Sequence, residues 1–85
     1  MSWQVAITRS AQKFLKRIAE KDATKIKAAL REMVENPYGG DIRKMKGEEN
    51  VWRRRVGVYR IFFEISEKEC SVSVYGIERR TSKTY

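Results

Sequence analysis

The spacing of apolar residues changes period twice along this chain. Trp3, Val5 and Ile7 alternate with Ser2, Gln4 and Ala6, the two-residue period of a short half-buried strand. The period then lengthens. Ala11, Phe14, Leu15 and Ile18 stand at i, i+3, i+4 and i+7, one face of a helix that Thr8 or Ser10 can cap. Asp22 offers a second cap, and after it Ala23, Ile26, Leu30, Met33 and Val34 form another stripe. That stripe closes at Asn36-Pro37, because proline disfavours a helical residue before it. The link between the stripes is very short, so the pattern predicts an antiparallel helical hairpin. Lys13, Lys16, Arg17, Lys25, Lys27 and Arg31 fall mainly off the stripes and read as a solvated helix surface.

Pro37-Tyr38-Gly39-Gly40 reads as a loop, and the stretch "DIRKMKGEEN" after it as polar and irregular. The two-residue period then returns in "VWRRRV" (51–56), "VYRIFFEI" (58–65) and "CSVSVYGI" (70–77). Gly57 separates the first two runs and Ser66-Glu67-Lys68-Glu69 turns between the second and third. Links this short impose antiparallel pairing. The expected architecture is a single α+β domain over 1–85: an N-terminal strand, the helical hairpin, then a three-stranded antiparallel meander with the helices on one face.

Alternation also sorts the side chains by face. Tyr59, Ile61, Phe63 and Ile65 form the apolar face that should meet the helices, and Arg60, Phe62 and Glu64 point the other way. Trp52 and Val56 mark one face of their strand, Arg53 and Arg55 the opposite one. Arg54 then shares the side of Trp52, and is expected near an edge where it can snorkel to water. Val72 and Val74 are core candidates in the last strand. If the faces register, Arg53, Arg55 and Arg60 meet on the sheet surface away from the helices, and the tail carrying Arg79 and Tyr85 leaves the adjoining strand. The open face of a half-covered sheet is polar in any case. Guanidinium groups crowded together, however, repel unless an anion lies between them, and arginine grips phosphate through two parallel hydrogen bonds. Trp52 and Tyr75 could stack on bases or pack in the core. Phe62 is the better stacking candidate, because it shares the face of Arg60.

Charge strengthens the phosphate reading. Nineteen Lys and Arg against eleven Asp and Glu give a formal charge of +8, which favours nucleic acid, an acidic protein or anionic lipid as partner. With no histidine in the chain, His-based acid–base catalysis and His metal ligation are excluded. The single cysteine, Cys70, cannot form an internal disulfide and is expected to pack within a strand. The carboxylates are scattered, which argues against a two-metal nuclease, and no glycine-rich phosphate loop is present. No apolar run approaches the ~18 residues of a membrane span, and no signal-peptide core stands at the N-terminus. A soluble, cytoplasmic protein without membrane, metal or cofactor is expected. Arg, Lys and Tyr remain as chemistry. Cations that favour phenolate, with arginines to neutralise a phosphorane, could drive attack of an RNA 2′-hydroxyl on its own 3′ phosphate.

These residues carry a family likeness. The chain resembles the RelE toxins of the RelE/ParE superfamily, from bacterial and archaeal toxin–antitoxin modules. The resemblance spans the N-terminal strand and helices, "KMKG" (44–47), "VWRRRVGVYRIFFEI" (51–65) and the tail "RRTSKTY". Its most specific part is the aromatic–Arg–x–Arg–Val–Gly–x–Tyr–Arg run from Trp52 to Arg60. It implies a ribosome-dependent endoribonuclease that cuts mRNA in the ribosomal A site without a metal. Carried over by motif, Arg60 holds the scissile phosphate, Arg79 assists the leaving group and Tyr85 is the base for the 2′-hydroxyl. Arg53 and Arg55 stand where the family often carries lysines that stabilise phenolate and transition state, and Lys44, Lys46 and Arg80 would hold RNA backbone. The implied partners are the ribosome, mRNA and an acidic or amphipathic antitoxin that wraps the helices and the sheet edge. Two other readings stay open: a ParE-like inhibitor of DNA gyrase, and a basic RNA-binding module without catalysis.

Overall fold

Two helices pack on one face of a five-stranded sheet in this computed structural model, which describes residues 2–47 and 49–80. The elements in chain order are β1 (Gln4–Ile7), α1 (Arg9–Arg17), α2 (Glu20–Glu35), β2 (Ile42–Lys44), β3 (Val51–Val56), β4 (Tyr59–Ser66) and β5 (Ser71–Arg79). Strand order across the sheet is β1-β5-β4-β3-β2. The sheet is mixed: β1 runs parallel to β5, and the other neighbours are antiparallel. A parallel neighbour requires a crossover, and α1 and α2 supply it.

Thr8 caps α1, its hydroxyl accepting from the Ala11 N–H at 3.4 Å. Asp22 does not cap α2. That helix starts at Glu20 behind Ala19, so Asp22 lies in its first turn, where a carboxylate suits the helix dipole. Its side chain instead accepts a hydrogen bond from the Tyr59 hydroxyl at 2.9 Å. The stripe residues Ala11, Leu15, Ala23, Ile26, Leu30 and Met33 close over Tyr59, Ile61, Phe63, Ile65, Val72 and Val74, as the alternation predicts. Ile26, Met33, Ile61, Phe63 and Val74 are wholly inaccessible.

Three further local expectations are corrected. The stretch read as irregular contains β2, where Ile42, Arg43 and Lys44 pair with Arg54, Arg53 and Trp52 and Ile42 packs against the core. Cys70 precedes β5 instead of lying in a strand. It ends the turn with φ 53°, and its thiol lies 3.7 Å from the Ser2 carbonyl. Arg54 does not snorkel to water. It lies on the helix side of the sheet, 8% exposed, and its Nη2 donates to Glu32 Oε1 of α2 at 2.5 Å. Gly40 makes room for it: a Cβ there would stand 2.6 Å from the guanidinium, and the φ of 83° already favours glycine. At the β3–β4 turn, Gly57 takes φ 60° at the first of two linking residues, as a tight hairpin of this hand requires.

Candidate anion-binding site

The helix-free face of the sheet carries two cross-strand rows. Arg43, Arg53, Phe62 and Gly76 lie opposite one another across β2, β3, β4 and β5. In the next row Arg55, Arg60 and Glu78 are aligned, and the Asp41 carbonyl accepts from the Arg55 N–H at 2.9 Å. Like charges directly opposite each other destabilise a sheet, so Arg55 facing Arg60 is a local cost that the fold tolerates. Together Asp41, Arg43, Arg53, Arg55, Arg60 and Arg80 line a cleft of about 170 Å³. That is below the ~300–1,000 Å³ of sites that enclose an organic ligand, and suits a single small anionic group.

Among the described residues, Arg60 alone of these five arginines is in an ion pair, its Nη1 donating to Glu78 Oε2 at 3.3 Å. Both partners are substantially solvated, so the pair adds little to stability. Among the described residues, the guanidinium groups of Arg43, Arg53, Arg55 and Arg80 have no carboxylate within ion-pair distance. No group of three or more His, Cys, Asp or Glu among the described residues could hold a metal ion, and no described helix is long and apolar enough to cross a membrane.

Arg53, Arg55 and Arg60 are therefore brought together, and Arg43 and Asp41 join them from β2. Arg79 is not in the cleft. It pairs with Tyr59 on the helix side, and its charge acts on that phenol. Burial, then the hydrogen bond to Asp22, push Tyr59 above its ordinary range, and Arg79 pulls it back. Arg80 takes the cleft position, its backbone N–H held by the Val58 carbonyl. Lys44 is opposite Trp52 on the helix side, and Lys46 is in the turn after β2; neither lines the cleft. Phe62 stands on the open face beside Arg53, with its ring centroid 6.4 Å from that of Tyr75. Trp52 lies on the core side, edge-on to Tyr38. Tyr85 lies outside the described residues.

This architecture is shared with RelE-type toxins. A chain of the archaeal RelE–RelB complex from Pyrococcus horikoshii OT3 superposes with a TM-score of 0.85 at 18% identity, covering 98% of this chain and 100% of that one. The isolated E. coli RelE toxin gives 0.82 at 15% identity, covering 96% and 88%. The YoeB/ParE toxin from Agrobacterium tumefaciens gives 0.74 at 20%, covering 92% and 99%. At these identities the likeness is one of fold, and the sequence matches none of the curated proteins. The fold and the motif run together define a toxin of the RelE/ParE superfamily. The family of the ParE toxin of the type II toxin–antitoxin system, parDE, matches residues 5–83, and the chain belongs to it.

Proposed function

We propose that this toxin is a ribosome-dependent, metal-independent endoribonuclease that cuts mRNA in the A site and so stops translation. The observation that carries the reading is the cleft in which Arg53, Arg55, Arg60 and Arg80 converge on one small volume of the open sheet face. A phosphodiester there is gripped by Arg60, with Arg53 and Arg55 opposing the charge that grows on the phosphorane. Tyr85, in the role its motif implies, takes the 2′-hydroxyl proton. The 2′ oxygen bonds to phosphorus, the bond to the 5′ oxygen breaks, and that oxygen takes a proton from solvent. The products are a 2′,3′-cyclic phosphate and a 5′-hydroxyl. Arg80, the tail arginine that lines the cleft, meets the charge on the leaving oxygen, and Arg79 supports the strand end beside Tyr59. Lys44 and Lys46 lie outside the cleft and would touch backbone farther along the strand.

The charge of +8 suits a cognate antitoxin of opposite charge, and the Pyrococcus horikoshii relative is known in complex with RelB. A second reading, inhibition of DNA gyrase, is favoured by the match to the ParE family.

Primer extension on mRNA in programmed ribosomes tests the proposal. Cuts within the A-site codon are expected with the wild type. Arg60→Ala, Arg80→Ala and Tyr85→Phe should each reduce cutting by roughly 10²- to 10³-fold, the usual consequence of removing one transition-state contact. Arg79→Ala should cut closer to the wild-type rate. Intact mRNA with the wild type, together with loss of supercoiling by purified gyrase, would move the protein to the second reading.

A further inference from the structure

The arginine cleft holds one residue that its cationic chemistry does not account for. Asp41 lines it beside five arginines, the one carboxylate-bearing residue to do so among the described residues. Its place is set by backbone. Gly40 turns the chain with φ 83°, and the Asp41 carbonyl accepts from the Arg55 N–H at 2.9 Å. Asp41 thus stands at the β2 end of the row that continues through Arg55 and Arg60 to Glu78. That row has a carboxylate at each end, and the two differ. Glu78 is bonded to Arg60, whereas the Asp41 side chain has no ion pair or hydrogen bond among the described residues. The backbone bond would form with any residue at 41, so the fold accounts for the position and not for the acid.

A bound phosphate sharpens the contrast. An ionised carboxylate is an acceptor only, with no proton to donate. Beside a phosphate it repels, and it lowers affinity for any strand that offers nothing but phosphate. It becomes favourable when the ligand carries a donor next to that phosphate. Along a nucleic-acid backbone that donor is the ribose 2′-hydroxyl, which DNA lacks.

We propose that Asp41 reads the sugar: its carboxylate accepts a hydrogen bond from a ribose 2′-hydroxyl adjoining the phosphate in the cleft, so the site takes RNA and rejects DNA. The inference rests on the reading of that cleft as an RNA phosphate site, and names the residue that makes it specific for RNA. In the proposed reaction the attacking hydroxyl gives its proton to Tyr85. The hydroxyl read by Asp41 therefore belongs to the ribose on the leaving-group side of the phosphate. Asp41 is a specificity residue and not the base. The arginines grip phosphate whatever the sugar, and Asp41 subtracts from that grip wherever the hydroxyl is missing.

The test measures binding in the absence of ribosomes, to single-stranded RNA and to 2′-fluoro and 2′-deoxy strands of the same sequence. The fluoro strand keeps the RNA-like sugar pucker and lacks the donor. The wild type should bind RNA roughly 5- to 50-fold more tightly than either. Asp41→Ala should tighten the fluoro and deoxy strands about two- to fivefold at low salt while weakening RNA, so that the preference disappears. Asp41→Asn keeps an acceptor and should retain part of the preference. Each ratio compares strands on the same folded variant, so a change in stability does not imitate it. Glu78→Gln, at the other end of the row, should raise all three affinities by the same factor. Equal wild-type affinity for RNA and the fluoro strand overturns the proposal, as does a preference that survives Asp41→Ala or vanishes in Glu78→Gln. The two readings fail separately. Loss of ribosomal cleavage with the ribose preference intact removes the nuclease reading alone, and cleavage without a ribose preference removes the role of Asp41 alone.

Discussion

Arg54 and Glu32 give the most direct test of how this fold holds its charge. The Arg54 guanidinium is nearly inaccessible, whereas the Glu32 side chain is 65% exposed, so the pair is buried on one side only. Nη2 reaches Glu32, but Nε and Nη1 are buried with no acceptor among the described residues. The two members should therefore respond unequally. Glu32→Gln leaves a buried cation with a weakened acceptor. At an effective dielectric of about 20, opposite charges some 4 Å apart attract by about 4 kcal/mol, and solvent around Glu32 reduces that by roughly half. Loss of about 2 kcal/mol is expected, less than the ~3–5 kcal/mol typical of breaking a fully buried pair. In a domain of this size that lowers Tm by roughly 8–16 °C.

Arg54→Met removes the buried charge together with its two unpartnered donors, and Glu32 returns to water at small cost. Orphaned donors carry a penalty of about 1–3 kcal/mol each, and a straight apolar side chain fills much of the same space. Stability should stay within about 1 kcal/mol of wild type or rise. Urea and thermal unfolding of both variants and the double variant measure the asymmetry. If Arg54→Met loses as much as Glu32→Gln, the guanidinium is fully satisfied in the native protein and the desolvation argument is wrong.

Gly40→Ala should cost more than 2 kcal/mol in urea unfolding, from the positive φ and the contact with Arg54, and combining it with Arg54→Met should recover part of that loss. Glu78→Gln should tighten binding of a single-stranded oligonucleotide about two- to fivefold at low salt, because it frees Arg60 and removes a carboxylate beside the bound phosphate; unchanged affinity would place the phosphate away from Arg60. Tyr38 is pushed up to about 12 by its hydrogen bond to Glu67, then burial, then the Glu67 charge, and Tyr59 is pushed up by burial and then Asp22. Both phenols are favoured protonated in the fold. Their contribution is complete below the ordinary phenol value near 10 and is lost as pH rises through the folded values, for Tyr38 up to about 12. The urea midpoint should fall over that window, and Tyr38→Phe with Tyr59→Phe should flatten the fall.

Elements with a sustained period were legible in the sequence, and short or compensated ones were not. The helix stripes and the face formed by Tyr59, Ile61, Phe63 and Ile65 each supply several in-phase apolar residues, enough to identify them. β2 supplies only Ile42, and a three-residue strand is defined by its partner β3 and not by its own pattern. Arg54 broke the rule that charge goes outward because its partner Glu32 is far away in sequence, on α2. Asp22 looked like a cap because short carboxylates usually are, and the tertiary hydrogen bond to Tyr59 took it instead. The arginines of β3 and β4 followed alternation and met as expected, and Arg43 arrived with the strand that the pattern did not reveal.

The bulge decides which tail arginine faces the cleft. Strict alternation from Val72 and Val74 would place 76 and 78 inward and 77 and 79 outward, so Arg79 would stand beside Arg60. The extra residue at Tyr75 reverses the phase: Ile77 becomes 8% exposed on the core side, Glu78 turns out to meet Arg60, Arg79 goes to Tyr59 and Arg80 to the cleft. A sign of this was present in the sequence. Val74 and Ile77 are apolar three positions apart with a glycine between them, a spacing no regular half-buried strand accommodates, and glycine within a strand often marks a bulge. One inserted residue thus exchanges the tail arginine that lines the cleft. The exchange is set by geometry, so a variant that restores regular alternation at the same chain length should return Arg79 to the open face and take Arg80 out of the cleft.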